Sequence, residues 1–446
     1  MIVSHYTFFI ANNNRFFLYN TLSNALIEIE NDLFVILRAA KEKGEILEEQ
    51  LPGKDVFETL CAKRFICESD KDELLFYRAA IQAVREQQEF MHLTIAPTMD
   101  CCFKCFYCFE TNKSRNYMSE EVMDSIVKYV TKQTQLKKIL LTWFGGEPLM
   151  AQKQMRQFYQ KLRTSFQGTI EANIITTGFH IGNETISLFQ DLNISSIQVT
   201  LDGDKETHNR IKHVDDCADV FSTVLNNIRL VTECLPNIQI AFRINLTKMN
   251  AKEYPKIAHK IDDLFSGKNV SISPGLVKQK NHKTRLQKSP KSIYFSNSEF
   301  AELIFTLFER HRLYTPFICY PGNELCECAI RDKMAISFDP DGYAYKCWER
   351  IGDRQFSIGR IQSEGIIADI NIKELNRELY GADPFTSPIC SGCRYLPICN
   401  GGCPIERIKN EFEGECNDTC TLYKEDIGKF LLYHVKMKEL GYPVNN

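Results

Sequence analysis

Cys101, Cys105 and Cys108 lie in the stretch Cys-Cys-Phe-Lys-Cys-Phe-Tyr-Cys-Phe-Glu, a Cys-x3-Cys-x2-Cys run with Cys102 as a fourth thiol nearby. Thiolates are soft ligands, and three of them on one short loop can hold three corners of a cubane iron–sulfur cluster. The fourth iron then has no protein ligand, and an open position on a metal centre goes with reactivity rather than scaffolding. A structural zinc site is the competing chemistry for the same thiols.

Other candidate chemistry is spread along the chain. In Phe144-Gly145-Gly146-Glu147-Pro148 the paired glycine lets the backbone approach a ligand closely, and Glu147 offers a carboxylate to an ammonium group. Thr200-Leu201-Asp202-Gly203 ends in a second glycine turn, with His208 and Arg210 following. Arg243 falls inside a strand-like run, where a guanidinium needs an anion, either a ligand's or a structural carboxylate. Near the C-terminus, Cys390-x2-Cys393-x5-Cys399-x3-Cys403 puts four thiols in 14 residues. Cys347 follows Gly342 in Asp-Pro-Asp-Gly-Tyr-Ala-Tyr-Lys-Cys, and Cys319, Cys326, Cys328, Cys416 and Cys420 complete the set.

The 446 residues suffice for two or three domains with their own cores. A net charge of −3 gives no reason to expect nucleic acid as a partner, no apolar run approaches a membrane span, and the N-terminus lacks the pattern of a secretory signal. A cytoplasmic protein is therefore expected. Of the 18 cysteines, 14 fall in three groups, 101–108, 319–347 and 390–420. That unevenness favours reduced, metal-binding thiols over a disulfide framework.

Three kinds of element must position these residues. Residues 1–90 read as a small module: a hairpin from Tyr6–Ile10 and Phe16–Tyr19 around Ala-Asn-Asn-Asn, a strand at Leu26–Ile29, two short helices, a return strand at Phe65–Cys67, and a helix over Glu73–Gln88. This resembles a winged helix, but it carries too little positive charge for nucleic acid, and a sheet edge that accepts an extended peptide is its alternative use. From 91 to 280, strands at His92–Ile95, Ile139–Phe144, Thr169–Ile175, Ser196–Leu201, Gln239–Asn245 and Val270–Ser273 alternate with amphipathic helices. The fold class is thus α/β, with a parallel sheet of six strands, a partial (β/α)6 barrel whose ligands sit beyond the C-terminal strand ends. Residues 281–291 are a basic linker and Ser296–Arg312 a helix with Ser296 and Glu299 at capping-box spacing, so 281–312 bridges to a cysteine-rich domain over 313–446.

The combination of the cysteine loop after a first strand, Gly-Gly-Glu-Pro after a second and Leu-Asp-Gly after a fourth resembles the radical S-adenosylmethionine (radical SAM) enzymes, over roughly residues 91–280. The resemblance implies that Cys101, Cys105 and Cys108 hold a [4Fe–4S] cluster whose open iron chelates S-adenosylmethionine. On reduction the cofactor is cleaved to a radical that removes hydrogen from an unactivated carbon. It also implies that Tyr107 is the family's aromatic, that Gly145, Gly146 and Glu147 approach the methionine amino group, that Arg243 faces its carboxylate, and that Thr200 and Asp202 lie near the ribose. Thr176-Thr177-Gly178 departs from the Thr-Asn-Gly of relatives, and Cys102 replaces a common Asn and reads as a bystander.

The C-terminal cysteines resemble the SPASM domain, which carries two auxiliary clusters, for three [4Fe–4S] clusters in all. By that resemblance Cys347 and Cys403 join one cluster with Cys319 and Cys328, while Cys326 competes for a place. Cys390, Cys393 and Cys399 form the other with Cys420 in preference to Cys416. If only one upstream cysteine binds, the first of these clusters has an open iron for a substrate thiolate. A winged-helix module ahead of such an enzyme resembles the leader-recognition element of ribosomal-peptide maturases. The implied partners are a precursor peptide and a one-electron donor such as flavodoxin or ferredoxin. The lead reaction is a thioether crosslink from a cysteine, with carbon–carbon crosslinking and epimerisation sharing the first step. Sulfatase maturation is the runner-up, but those enzymes usually carry Asp directly after the cysteine matching Cys347. Here Trp348 stands there, with Glu349 next as a displaced base. Binding proteins whose clusters sense redox state, or that hold zinc, are the alternatives of another class.

Overall fold

A computed structural model describes residues 1–110, 113–277, 293–322, 325 and 328–442. The expected linker at 281–291 and Cys326 lie outside the described residues. The chain forms two compact units, neither contiguous in sequence: residues 1–86, 314–328 and 380–446 make one, and residues 87–313 and 329–379 the other.

In the first unit β1 (Ile2–Val3) pairs antiparallel with β5 (Ile66–Cys67). β2 (Thr7–Asn12), β3 (Arg15–Asn20) and β4 (Ala25–Ile29) form an antiparallel meander. Asn12 pairs with Arg15, so the hairpin turn has only two central residues, Asn13 and Asn14, at φ 48 and 59. Asparagine tolerates that left-handed region, and the pair matches the turn that suits strand twist. Helices α1 (Asn31–Lys43), α2 (Lys54–Ala62) and α3 (Asp70–Glu86) surround the sheet. α1 buries Leu33, Phe34, Leu37 and Ala40, one stripe at helical spacing, in a core with Val3, Leu18, Leu60 and Phe65. The C-terminal part of this unit supplies short helices, among them Pro388–Ser391, Leu396–Cys399 and Pro404–Phe412, and the longer Tyr423–Glu439.

The second unit is built on a sheet of ten strands. β6 (Phe90–Ile95), β7 (Lys138–Trp143), β8 (Thr169–Thr176), β9 (Ile194–Leu201), β10 (Gln239–Leu246) and β11 (Val270–Leu276) are parallel and lie side by side in sequence order, the six strands expected from the pattern. Between them run α4 (Glu120–Thr131), α5 (Gln152–Ser165), α6 (Asn183–Asp191), α7 (Lys205–Ile211), α8 (Val220–Cys234) and α9 (Tyr254–Leu264). Apolar side chains such as Leu93, Leu141, Ile197, Phe242 and Ile244 are fully buried. The sheet continues past β6. β12 (Ala335–Phe338) pairs parallel with it, and β13 (Tyr343–Tyr345), β14 (Gly359–Ile361) and β15 (Ile367–Ala368) follow antiparallel. Residues 329–379, expected within one cysteine-rich domain over 313–446, thus extend the barrel sheet instead. Pairing explains why: Ala335–Phe338 is buried throughout and can satisfy its backbone groups only by joining an existing edge. The helix after β11 runs Asn297–His311, and Ser296 and Glu299 make the expected capping box. Among the described residues, no helix is long and apolar enough to cross a membrane.

Candidate functional site

The C-terminal ends of the parallel strands open on a cavity of about 330 Å³. Cys101, Cys105 and Cys108 line it, on the loop that leaves β6, and Cys108 N–H donates to Cys105 O at 3.2 Å to close the turn between them. Burial raises the Cys105 thiol and pushes Cys108 up to about 11, while the neighbouring Cys102 thiol and then burial raise Cys101. Three partly buried thiols facing one cavity fit a centre whose own positive charge keeps them deprotonated. Cys102 is held by His180, Nε2 to Sγ 3.3 Å.

Gly145 and Gly146 follow β7 and line the cavity, but what they approach most closely is protein. A Cβ on Gly145, at φ +105, would stand 2.4 Å from Thr98 O, and one on Gly146 would stand 2.2 Å from Asp100 O. Gly146 N–H donates to Thr98 O at 3.2 Å and Glu147 N–H to Asp100 O at 2.8 Å. The paired glycine therefore clamps the entry to the cysteine loop. Glu147 is 0% exposed, behind the wall. Its carboxylate accepts from Leu149 N–H (3.0 Å), Thr176 Oγ1 (2.7 Å), Thr177 N–H (2.8 Å) and Thr177 Oγ1 (2.6 Å). The carboxylate braces Thr176 and Thr177, which themselves line the cavity.

Thr200 and Arg243 face the cavity from β9 and β10, where they are register partners. Gly275 on β11 leaves the room for this arginine, since a Cβ there would lie 2.7 Å from Arg243 Nε. The guanidinium reaches solvent through the cavity, and surrounding protein lowers its pKa by burial. Its side chain donates weakly to Asn245 Oδ1 at 3.4 Å, and no described carboxylate pairs with it. The structural carboxylate is thus not found among the described residues.

Asp202 is 1% exposed and does not reach the cavity. Its carboxylate takes a hydrogen bond from the Tyr107 hydroxyl and one from Lys212 Nζ at 2.9 Å, and its backbone N–H donates to His208 Nδ1 at 3.3 Å. Tyr107 and Lys212 line the cavity in front of it. Burial works against the Lys212 ammonium, but Asp202 outweighs it and holds the pKa above the usual lysine value. Burial, then Lys212, hold His208 down to about 3, so the ring is neutral. Tyr107 and Lys212 thus carry the hydrogen bonds that link the Asp202 carboxylate to the cavity wall.

Sequence reasoning missed Lys212, Lys113 and Glu110, all on the cavity wall. Glu110 is 6% exposed, its Oε1 has no partner among the described residues, and burial pushes its pKa up to about 7. The remaining wall is aromatic. Phe109 stacks on Phe144 (centroids 6.2 Å apart, 7° between planes) and Phe144 on Trp348 (5.6 Å, 18°). Glu349 lines the same cavity, two residues beyond Cys347.

Cys347 belongs to the second unit, and the remaining candidate cysteines, Cys319, Cys328, Cys390, Cys393, Cys399, Cys403, Cys416 and Cys420, belong to the first. Cys319 is buried, Cys328 exposed, and Cys403 is the N-cap of Pro404–Phe412. Arg407 donates to Cys390 Sγ at 3.2 Å and Lys424 to Cys420 Sγ at 3.2 Å. Burial lowers Lys424, but its hydrogen bond to Cys420 and the charges of Cys393, Cys420 and Cys399 hold its pKa above the usual value. Cys416 is exposed.

Residues 95–261 match the family model described as the Radical SAM superfamily. The chain is 21% identical over 351 residues to a cysteine-type anaerobic sulfatase-maturating enzyme of Clostridium novyi (strain NT), covering 73% of this chain and 91% of that one. Native anSMEcpe with bound AdoMet and Cp18Cys peptide has a similar structure, with a TM-score of 0.57 at 17% identity, over 79% of this chain and 99% of that one. Streptococcus suis SuiB bound to S-adenosylmethionine matches with a TM-score of 0.53 at 15% identity, over 94% of this chain and 99% of that one. The cavity at the strand ends therefore lies in the radical SAM domain of this enzyme, whose α/β fold is shared with anSMEcpe and SuiB.

Proposed function

We propose that this enzyme is a peptide maturase that abstracts hydrogen from a ribosomally made precursor and installs a crosslink, with a cysteine thioether as the lead product. The observation that carries it is the meeting of three loop thiols, the Gly145–Gly146 turn and the unpaired Arg243 at one cavity. Cys101, Cys105 and Cys108 would hold a [4Fe–4S] cluster, which with S-adenosylmethionine supplies one-electron cleavage and a hydrogen-abstracting radical. Arg243 then meets the cofactor carboxylate, Gly145 and Gly146 give backbone approach, and Thr176, Thr177 and Thr200 offer polar contacts around it. Tyr107 is fixed from behind by Asp202 and Lys212. The Phe109–Phe144–Trp348 stack gives the cavity an aromatic wall.

A peptide substrate is supported by anSMEcpe, whose structure holds a bound peptide. The likeness to SuiB covers 94% of this chain and so extends over the N-terminal module. In this reading the module over 1–90 holds the leader of the precursor along a strand edge. Cys390, Cys393, Cys399 and Cys420 hold one auxiliary cluster, and the shared influence of Cys393, Cys399 and Cys420 on Lys424 favours Cys420 over Cys416. The remaining cysteines of the C-terminal set supply ligands to another, and flavodoxin or ferredoxin delivers the electron. The enzyme works in the cytoplasm.

Sulfatase maturation is the second reading, favoured by the similarity to the Clostridium enzyme and by Glu349 on the cavity wall. Coexpression with short cysteine-rich reading frames beside the gene decides between them by mass spectrometry. Loss of two hydrogens with a blocked cysteine supports the crosslink. Unchanged mass with deuterium uptake from heavy water indicates epimerisation. Formylglycine in a sulfatase peptide, with no change in the neighbouring precursor, would overturn the proposal.

A further inference from the structure

Lys113 is a cation on the cavity wall that the cofactor contacts above do not use. Its Nζ donates to Phe103 O at 2.6 Å. Phe103 is fully buried and lies between Cys101 and Cys105, so the ammonium is tied to the turn that carries the thiols. Lys212, the other cavity lysine, is neutralised by Asp202 at 2.9 Å. Lys113 has no such counter-ion: among the described residues no carboxylate pairs with it. Burial disfavours its charge, yet Cys108, Cys101, Cys105 and Glu110 together hold its pKa above the ordinary lysine value. It shares the cavity wall with Cys101, Cys105 and Cys108.

We propose that Lys113 is the fixed positive charge that sets the reduction potential of the cluster held by Cys101, Cys105 and Cys108. The inference rests on the cluster reading given above. Reduction brings one electron from an external low-potential donor to the cluster, with no bond made or broken, and leaves it one unit more negative. A cation held near it favours that state by Coulomb attraction. At an effective dielectric constant of about 20, the attraction of a unit charge exceeds the ~1.4 kcal/mol that a tenfold change requires out to roughly 10 Å. Tethering to Phe103 O keeps the charge in place, where a solvated lysine would swing away and be screened. Lys113 touches no reacting atom; it is a positioning residue for charge.

The test uses the full chain, reconstituted without oxygen, as wild type, Lys113→Gln and Lys113→Arg. Iron and sulfide per chain are measured first. The cluster is then titrated against poised dyes, reading the electron paramagnetic resonance signal that S-adenosylmethionine perturbs, since only a cluster with an open iron responds. Lys113→Gln is expected to keep its iron. At the poise that half-reduces wild type, its ratio of reduced to oxidised cluster falls about tenfold, and Lys113→Arg stays with wild type. An unchanged ratio in an iron-replete Lys113→Gln overturns the inference. Loss of iron in Lys113→Gln overturns it as well, in favour of a structural prop for the turn. A wild-type protein with no signal that responds to S-adenosylmethionine would remove the cluster reading itself, a distinguishable result.

Discussion

Leu149 N–H, Thr176 Oγ1, Thr177 N–H and Thr177 Oγ1 converge on the Glu147 carboxylate, and each bond is charge-assisted inside protein. Glu147→Gln keeps the shape but turns an amide donor toward those donors. It should destabilise the fold by about 2 kcal/mol, read as a lower urea midpoint, and weaken S-adenosylmethionine binding because Thr176 and Thr177 lose their brace. A midpoint and affinity equal to wild type would show the brace to be idle. Asp202 and Lys212 give a second residue-scale prediction. Lys212→Met leaves Asp202 charged and buried with one donor, a change worth about 3–5 kcal/mol, whereas Asp202→Asn with Lys212→Met recovers much of it. A denaturation cycle over the four proteins measures the coupling, and additive losses would refute it. The types of these residues were legible in the sequence, but their duties were not. Gly-Gly-Glu-Pro reads as ligand contact, and the structure adds that Glu147 braces a neighbouring loop. A single lysine such as Lys113 or Lys212 makes no pattern, so only three-dimensional proximity to the thiols singles it out.

At the scale of elements, the joint between β7 and the cysteine loop is tight enough to make a sharp test. Gly145→Ala puts a methyl 2.4 Å from Thr98 O at a φ of +105, so either the turn or the loop after β6 must move. Iron retention and S-adenosylmethionine affinity should both fall, by tenfold or so in affinity, while the far-UV circular dichroism of the barrel stays. Full iron with unchanged affinity would mean that the joint yields without cost. The helix Ile372–Leu379 offers a pH test. It buries Glu374 and Glu378 against Arg350, which lies 3.3 Å from Glu378 Oε1 and pairs closely with Glu374. Burial pushes Glu378 up to about 8 despite Arg350, with Glu374 adding to the rise and Lys346 opposing it. A folded pKa above the unfolded one means that this group's stabilising contribution is complete below the usual 4.5 and is lost as pH rises to about 8. Glu378→Gln should flatten that fall and gain on wild type at pH 9 but not at pH 4. Parallel stability curves for the two would contradict it. Periodicity located all six strands of the barrel because each is long and followed by an amphipathic helix. It missed β12, whose four residues are buried on both faces and sit among cysteines and turns, and α7, which is too short for a stripe to show.

For the whole molecule, the division into two units cuts across the linear order. The first unit gathers the N-terminal module with residues 314–328 and 380–446, and the barrel unit takes 329–379. A reading along the chain sees composition change at residue 313 and cannot see that a later strand returns to an earlier sheet edge. Cluster number is a property of the whole chain. The account predicts about twelve irons per chain after anaerobic reconstitution, about four for each cluster, and a loss of about four in Cys390→Ala with Cys420→Ala. Zinc in place of iron would end the auxiliary-cluster proposal. The most direct test of the central claim is production of 5′-deoxyadenosine from S-adenosylmethionine by the reduced protein. Wild type and Cys102→Ala are expected to make it, and Cys101→Ala, Cys105→Ala and Cys108→Ala are each expected to make none. Cleavage that survives in any one of those three would contradict the assignment of the loop.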